Sequence, residues 1–167
     1  TASNQLMFRE SGHLRRILSL LPGSDGSGSA DVDPRVSFLA LEALNVLMRP
    51  PSCASDGDLK ATQDALCSAN CDLLGKLVGL TCEQWRRERE EEASEGRGSS
   101  YPVLGQAFRT LSCLLLRNAE AKDKISVMTT RWTVSHTYED VPVLLAILLR
   151  ALNSRSKFES YAALEVL

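Results

Sequence analysis

Asp33-Pro-Arg-Val-Ser-Phe-Leu-Ala-Leu-Glu-Ala-Leu-Asn-Val-Leu-Met-Arg-Pro-Pro51 is the stretch whose reading decides the fold. An Asp followed by a Pro at the first helical position suits the unpaired amides of a helix start. Val36, Leu39, Ala40, Ala43, Leu44, Leu47 and Met48 then recur at steps of three and four, while Arg35, Glu42 and Arg49 mark a narrow polar stripe. Phe38 and Leu41 widen the apolar arc beyond one face, so this helix is expected between neighbouring helices. Pro50-Pro51 ends it.

Working outward, the same reading gives helices at 4–10, 12–21, 59–68, 71–85, 102–117, 119–128, 141–152 and 156–167. No segment alternates with period two, and Thr129 to His136 alone has some strand propensity. Apolar residues make up 44% of the chain but aromatics only 5%, which favours packed Leu/Ala/Val helices over a sandwich or barrel. The expected fold class is all-α. Polar connections are expected near 22–33, 50–58, 86–100 and 129–140, none of which can bury enough apolar surface to offset the entropy of ordering.

A net charge of −2 supplies no field for nucleic acid or an anionic membrane surface. Five cysteines (Cys53, Cys67, Cys71, Cys82, Cys113) form an odd set, several inside Leu-rich stretches, and point to a reducing, cytoplasmic setting. No secretory signal opens the chain and no apolar run approaches the roughly 20 residues of a membrane span. The final residues stop in mid-pattern, so a segment of something longer is expected.

An internal repeat emerges when loops are allowed to vary. Asn4-Gln5, Phe8, Gly12, Leu14, Leu18 and Leu21 correspond to Thr62-Gln63, Leu66, Asn70, Leu73, Leu77 and Leu80, about 58 residues on. A looser third copy starts near Asn118, passes Ile125 and resumes at Val141. Each copy has a short helix, a break at Gly12, Asn70 or a longer loop, a Leu-rich helix, and a closing Leu/Ala helix. Gly and Asn tolerate the left-handed conformation such a break requires. This rhythm is that of armadillo repeats, stretched beyond their usual period by inserted loops. The expectation is one armadillo/HEAT-like right-handed α-solenoid segment over 1–167, with units near 1–51, 59–117 and 118–167.

Ser3-Asn-Gln-Leu-Met-Phe-Arg-Glu-Ser-Gly12 with Leu14 and Ile17-Leu18 resembles the repeat signature of the armadillo-like head of the general vesicular transport factor family, the Golgi vesicle tethers. The likeness continues, at low identity, through Leu47-Met-Arg-Pro-Pro51, Ala61-Thr-Gln-Asp-Ala-Leu-Cys67, Leu104-Gly-Gln-Ala-Phe-Arg-Thr-Leu111, Asn118-Ala-Glu-Ala-Lys-Asp-Lys-Ile125 and Pro142-Val-Leu-Leu145. It implies a non-catalytic scaffold in traffic between the endoplasmic reticulum and the Golgi. Rab-family GTPases, golgins and SNARE proteins are the partners it implies. Membrane association would come only through those partners, and dimerisation through a coiled coil outside this segment.

Three clusters carry residues capable of chemistry. Cys67 and Cys71 share a helix face if their helix is continuous, but no second pair completes zinc spacing, and core packing is the expectation. Cys82 near Arg86 and Arg87 lacks any accompanying nucleophile motif, so no catalytic residue, cofactor or metal is expected. His13, Arg15 and Arg16 fit the polar side of an amphipathic helix opposite Leu14, Ile17, Leu18 and Leu21. The candidate partner contacts are the stripe Arg35, Glu42, Asn45 and Arg49, because closing helices line the concave face of such stacks. To these is added the exposed segment Trp85, Arg86 and Arg87, read against the plainer alternative of a solvated helix with Arg86–Glu90 and Arg87–Glu91 pairs.

Overall fold

The structure, a computed structural model, describes residues 12–21, 33–48, 56–68, 71–81, 103–134, 137–154 and 156–167. Their helices are α1 (His13–Leu18), α2 (Pro34–Met48), α3 (Asp56–Cys67), α4 (73–81), α5 (Val103–Leu115), α6 (Ala119–Val127), α7 (Val143–Asn153) and α8 (Lys157–Leu164). Between α6 and α7 lie β1 (Thr129–Val134) and β2 (Thr137–Pro142), an antiparallel pair.

Local chemistry explains the boundaries. Gly12 has φ 72°, the left-handed turn expected at the first break, and Leu14, Leu18 and Leu21 behind it are buried. At α2 the Asp33 carboxylate accepts the Arg35 amide at 2.8 Å, as the Asp-Pro start predicts. At the second break the described left-handed residue is Asp72, φ 41°, whose carboxylate accepts the Gly75 amide at 3.2 Å. Asn118 caps α6 by accepting the Ala121 amide, and Ser156 caps α8 by accepting that of Glu159.

Ten of the thirteen residues of α5 are buried, which makes it the axis of the molecule. It packs against α2 on one side and α8 on the other, so helices that lie side by side are three apart in chain order. Neighbours in sequence also touch: α1 with α2, α2 with α3, α5 with α6, α6 with α7 and α7 with α8. Leu41, Leu44, Leu66, Phe108, Leu111, Leu114 and Ile147 are fully buried between them. Gln63, buried on α3, donates from Nε2 to the carbonyls of Cys113 and Leu116, both at 2.9 Å, and so satisfies the open end of α5.

The chain is mostly helical, as expected, with four corrections. The expected loop at 129–140 is a hairpin, with Arg131 opposite Asp140, and Val141 and Pro142 belong to β2, so α7 starts at Val143. Met128's carbonyl accepts the Val143 amide at 3.0 Å and closes the hairpin's base. Residues 56–58, read as loop, form the first turn of α3, where Asp56 and Asp58 favour the helix dipole. Cys67 ends α3 while Cys71 lies in the following turn, so the two do not share a helix. On α2, Leu39 is 61% exposed; the buried seam is Ser37, Ala40, Leu41, Leu44, Asn45 and Met48. The helix expected at 4–10 and the connections within 22–32, 50–55 and 86–100 fall outside the described residues. No helix among the described residues is long and apolar enough to cross a membrane.

Candidate functional site

A groove of about 290 Å³ opens across α2, α5 and α8. Phe38, Glu42, Asn45 and Val46 form one wall, spaced along a face of α2; Gln106 and Arg109, one turn apart on α5, form the other. Phe158 of α8 closes the end. The Arg109 guanidinium lies 5.5 Å from the centroid of the Phe158 ring, a cation–π contact that holds the arginine to this end.

Asn45 sets this groove apart. The sequence reading has it on an exposed stripe; the structure turns it inward, 6% exposed, because α2 presents it to α5 together with Leu41, Leu44 and Met48. Its Oδ1 is buried and meets no hydrogen-bond donor among the described residues. An orphaned buried acceptor costs about 1–3 kcal/mol, so Asn45 is a place where the folded chain carries an unmet demand for a donor. Gln106, also 6% exposed, is the second buried amide of the groove.

Of the sequence-derived contacts, Glu42 and Asn45 are thus brought together. Arg35 is exposed in the first turn of α2, away from the groove lining. Arg49, Trp85, Arg86 and Arg87 lie outside the described residues. Gln106, Arg109 and Phe158 were not singled out by sequence. The available signal was weak: Gln106 and Arg109 stand one turn apart on the mainly apolar α5, and Phe158 shares helical spacing with Tyr161 and Ala162, so nothing local marks it as part of a groove.

A second depression of about 280 Å³ lies between α3 and α6, lined by Asp64, Cys67, Ser68 and residues of the α6 N-terminal turns. On its rim Lys124 pairs with Glu120 at 2.8 Å, which lowers the Glu120 carboxyl and raises the Lys124 ammonium. Burial pushes the Cys67 thiol up to about 11; the nearby Lys124 charge opposes this, and Asp64 and Glu120 reinforce it. That is the reverse of an activated cysteine. Cys67, Cys71 and Cys113 are half-buried and pack against the apolar core. His13, Arg15 and Arg16 are exposed opposite buried Leu14 and Leu18. Among the described residues no three His, Cys, Asp or Glu side chains gather into a metal-binding group.

No family model, curated protein or solved structure matches this chain.

Proposed function

We propose that the chain is a non-catalytic protein-binding scaffold, a segment of an armadillo-type right-handed α-solenoid that seats its partner across α2, α5 and α8. The observation that carries this reading is the three-apart packing, α2 on α5 and α5 on α8. These are the closing helices of the three sequence units, and stacking of equivalent helices is what a three-helix repeat requires. The left-handed residues Gly12 and Asp72 precede the middle helices of the first two units, in keeping with that scheme. A mixed polar and aromatic groove on the closing-helix face is the kind of surface that recognises polypeptide.

The cellular setting is a vesicle-tethering head of the general vesicular transport factor kind, in Golgi traffic, with Rab-family GTPases, golgins or SNARE proteins as partners. Its support is the run of motifs from Ser3 to Leu145 in the sequence. Titration of the purified chain with GTP-analogue- and GDP-loaded Rab GTPases, golgin segments and SNAREs tests it. One of these is expected to bind, and Glu42→Arg is expected to weaken that complex roughly tenfold at unchanged melting temperature. Silence from the whole panel removes the tethering setting. A different partner lost in the same variant would leave the scaffold reading standing in another pathway, such as cytoskeletal or ubiquitin adaptors.

A further inference from the structure

We infer that the groove across α2, α5 and α8 is a pocket for a basic side chain, arginine or lysine, carried by the bound polypeptide. The inference rests on the scaffold reading and names the chemistry of its partner. Glu42 and Asn45 sit one turn apart on α2 and face the same space. Glu42 can only accept, and it makes no ion pair among the described residues. Asn45 has a buried Oδ1 without a donor among the described residues. Among the described residues no hydrogen bond pins its amide, whose χ2 torsion is soft, so the group can turn to meet whatever enters. The cation already present, Arg109, is held over the Phe158 ring. What remains unmet is therefore a donor-rich positive group, and guanidinium or ammonium alone among side chains supplies several donors and no acceptor.

The rest of the groove suits the stem of such a side chain. Phe38 and Val46 offer apolar surface to its methylenes, and long basic side chains lay their stems on such surface while the charge reaches polar partners. An acidic guest would meet the Glu42 carboxylate and could offer nothing to the Asn45 oxygen. A wholly apolar guest would leave that oxygen orphaned.

The test uses four capped pentapeptides, Gly-Leu-Xaa-Leu-Gly, with arginine, lysine, citrulline or glutamate at the centre, titrated into the whole chain and followed by amide chemical shifts. The arginine and lysine peptides are expected to move signals of residues 42–46 and 106–109. Citrulline, which keeps the shape and loses the charge, should bind roughly tenfold more weakly, and glutamate not at all. Glu42→Gln, an exposed position that cannot threaten folding, should cost the arginine peptide about the same factor. Asn45→Leu should abolish binding while raising the melting temperature by a few degrees. Equal affinity for arginine and citrulline, or an unchanged Kd in both variants, overturns the inference. Binding of the glutamate peptide, lost in Asn45→Leu, overturns it while sparing the scaffold reading; failure of all four peptides removes both from this groove.

Discussion

The Phe158 ring stands where a side chain at position 105 would begin: an ideal Cβ on Gly105 would lie 2.5 Å from Cδ1 of Phe158. The missing side chain on α5 is what lets α8 bring this ring to the end of the groove. Two effects compete in Gly105→Ala. Helix propensity gains about 0.5–1 kcal/mol, while forcing a methyl into a filled space costs about 1–3 kcal/mol. Overpacking wins, and urea melts should show a loss of about 1 kcal/mol together with a shift of the Phe158 ring signals. In a Phe158→Ala background the same change should turn neutral or stabilising. A simple rise in stability from Gly105→Ala alone would contradict the close approach.

Arg150 on α7 and Glu159 on α8 form an ion pair with side chains only 11% and 13% exposed. The pair clamps the last two helices together, but its net worth is small because both charges were taken out of water. Breaking it is another matter. Glu159→Gln takes the carboxylate away from an arginine side chain only 11% exposed and should cost about 3 kcal/mol. Arg150→Met with Glu159→Leu should restore most of that loss. Denaturant titrations of Arg150→Met, Glu159→Leu and the double variant supply the coupling; additive losses would mean that the pair does not act as a unit.

How much of this was legible in the chain differs by element. The Asp33-Pro34 start of α2 and the Gly12 break are short-range chemistry and were readable as such. The seam of α2 was not, because its residues offer two overlapping apolar arcs. The arc containing Leu39 loses to the one containing Ser37 and Asn45 only because α5, some sixty residues on, arrives on that side. The hairpin hid for a different reason: Thr129 to Pro142 has no alternation strong enough to outweigh the apolar run that follows Val141. As for the groove, Glu42 and Asn45 were visible as polar interruptions of an apolar helix. Phe158 joins them through a contact with Gly105 that no local pattern encodes.

Leu44 is fully buried in that seam, on the face of α2 that meets the central helix. Leu44→Ala should cost about 2–5 kcal/mol through lost transfer energy and the cavity left behind. Leu44→Asp adds a charge with no partner, which a domain of ordinary stability does not survive. Circular dichroism should report lost helicity and no cooperative melt for the aspartate variant. Leu39→Asp, on the exposed side of the same helix, should melt within about 0.5 kcal/mol of the parent. Equal behaviour of the two aspartates would invalidate the assigned seam.

Cys67 carries a pH prediction whose sign follows from its surroundings. Its thiol loses protons only near pH 11 in the folded chain, against 9.0 as its ordinary value, because burial disfavours the thiolate. The neutral form is thus the one the fold prefers. Its contribution to stability is complete below about pH 9 and disappears as pH climbs through the folded value, so the fold should weaken between pH 9 and 11 from this group. Reactivity follows the same curve. At pH 8 roughly one Cys67 thiol in a thousand is ionised, so alkylation by iodoacetamide in the native state should be far slower than in the urea-unfolded chain. The native rate should rise with pH and level off only above about 11. Replacing Lys124 by Met removes a nearby positive charge that favours the thiolate, and should push the midpoint of that rate profile higher still. Fast labelling of Cys67 at neutral pH would instead mark an activated thiol and contradict the effect assigned to its burial.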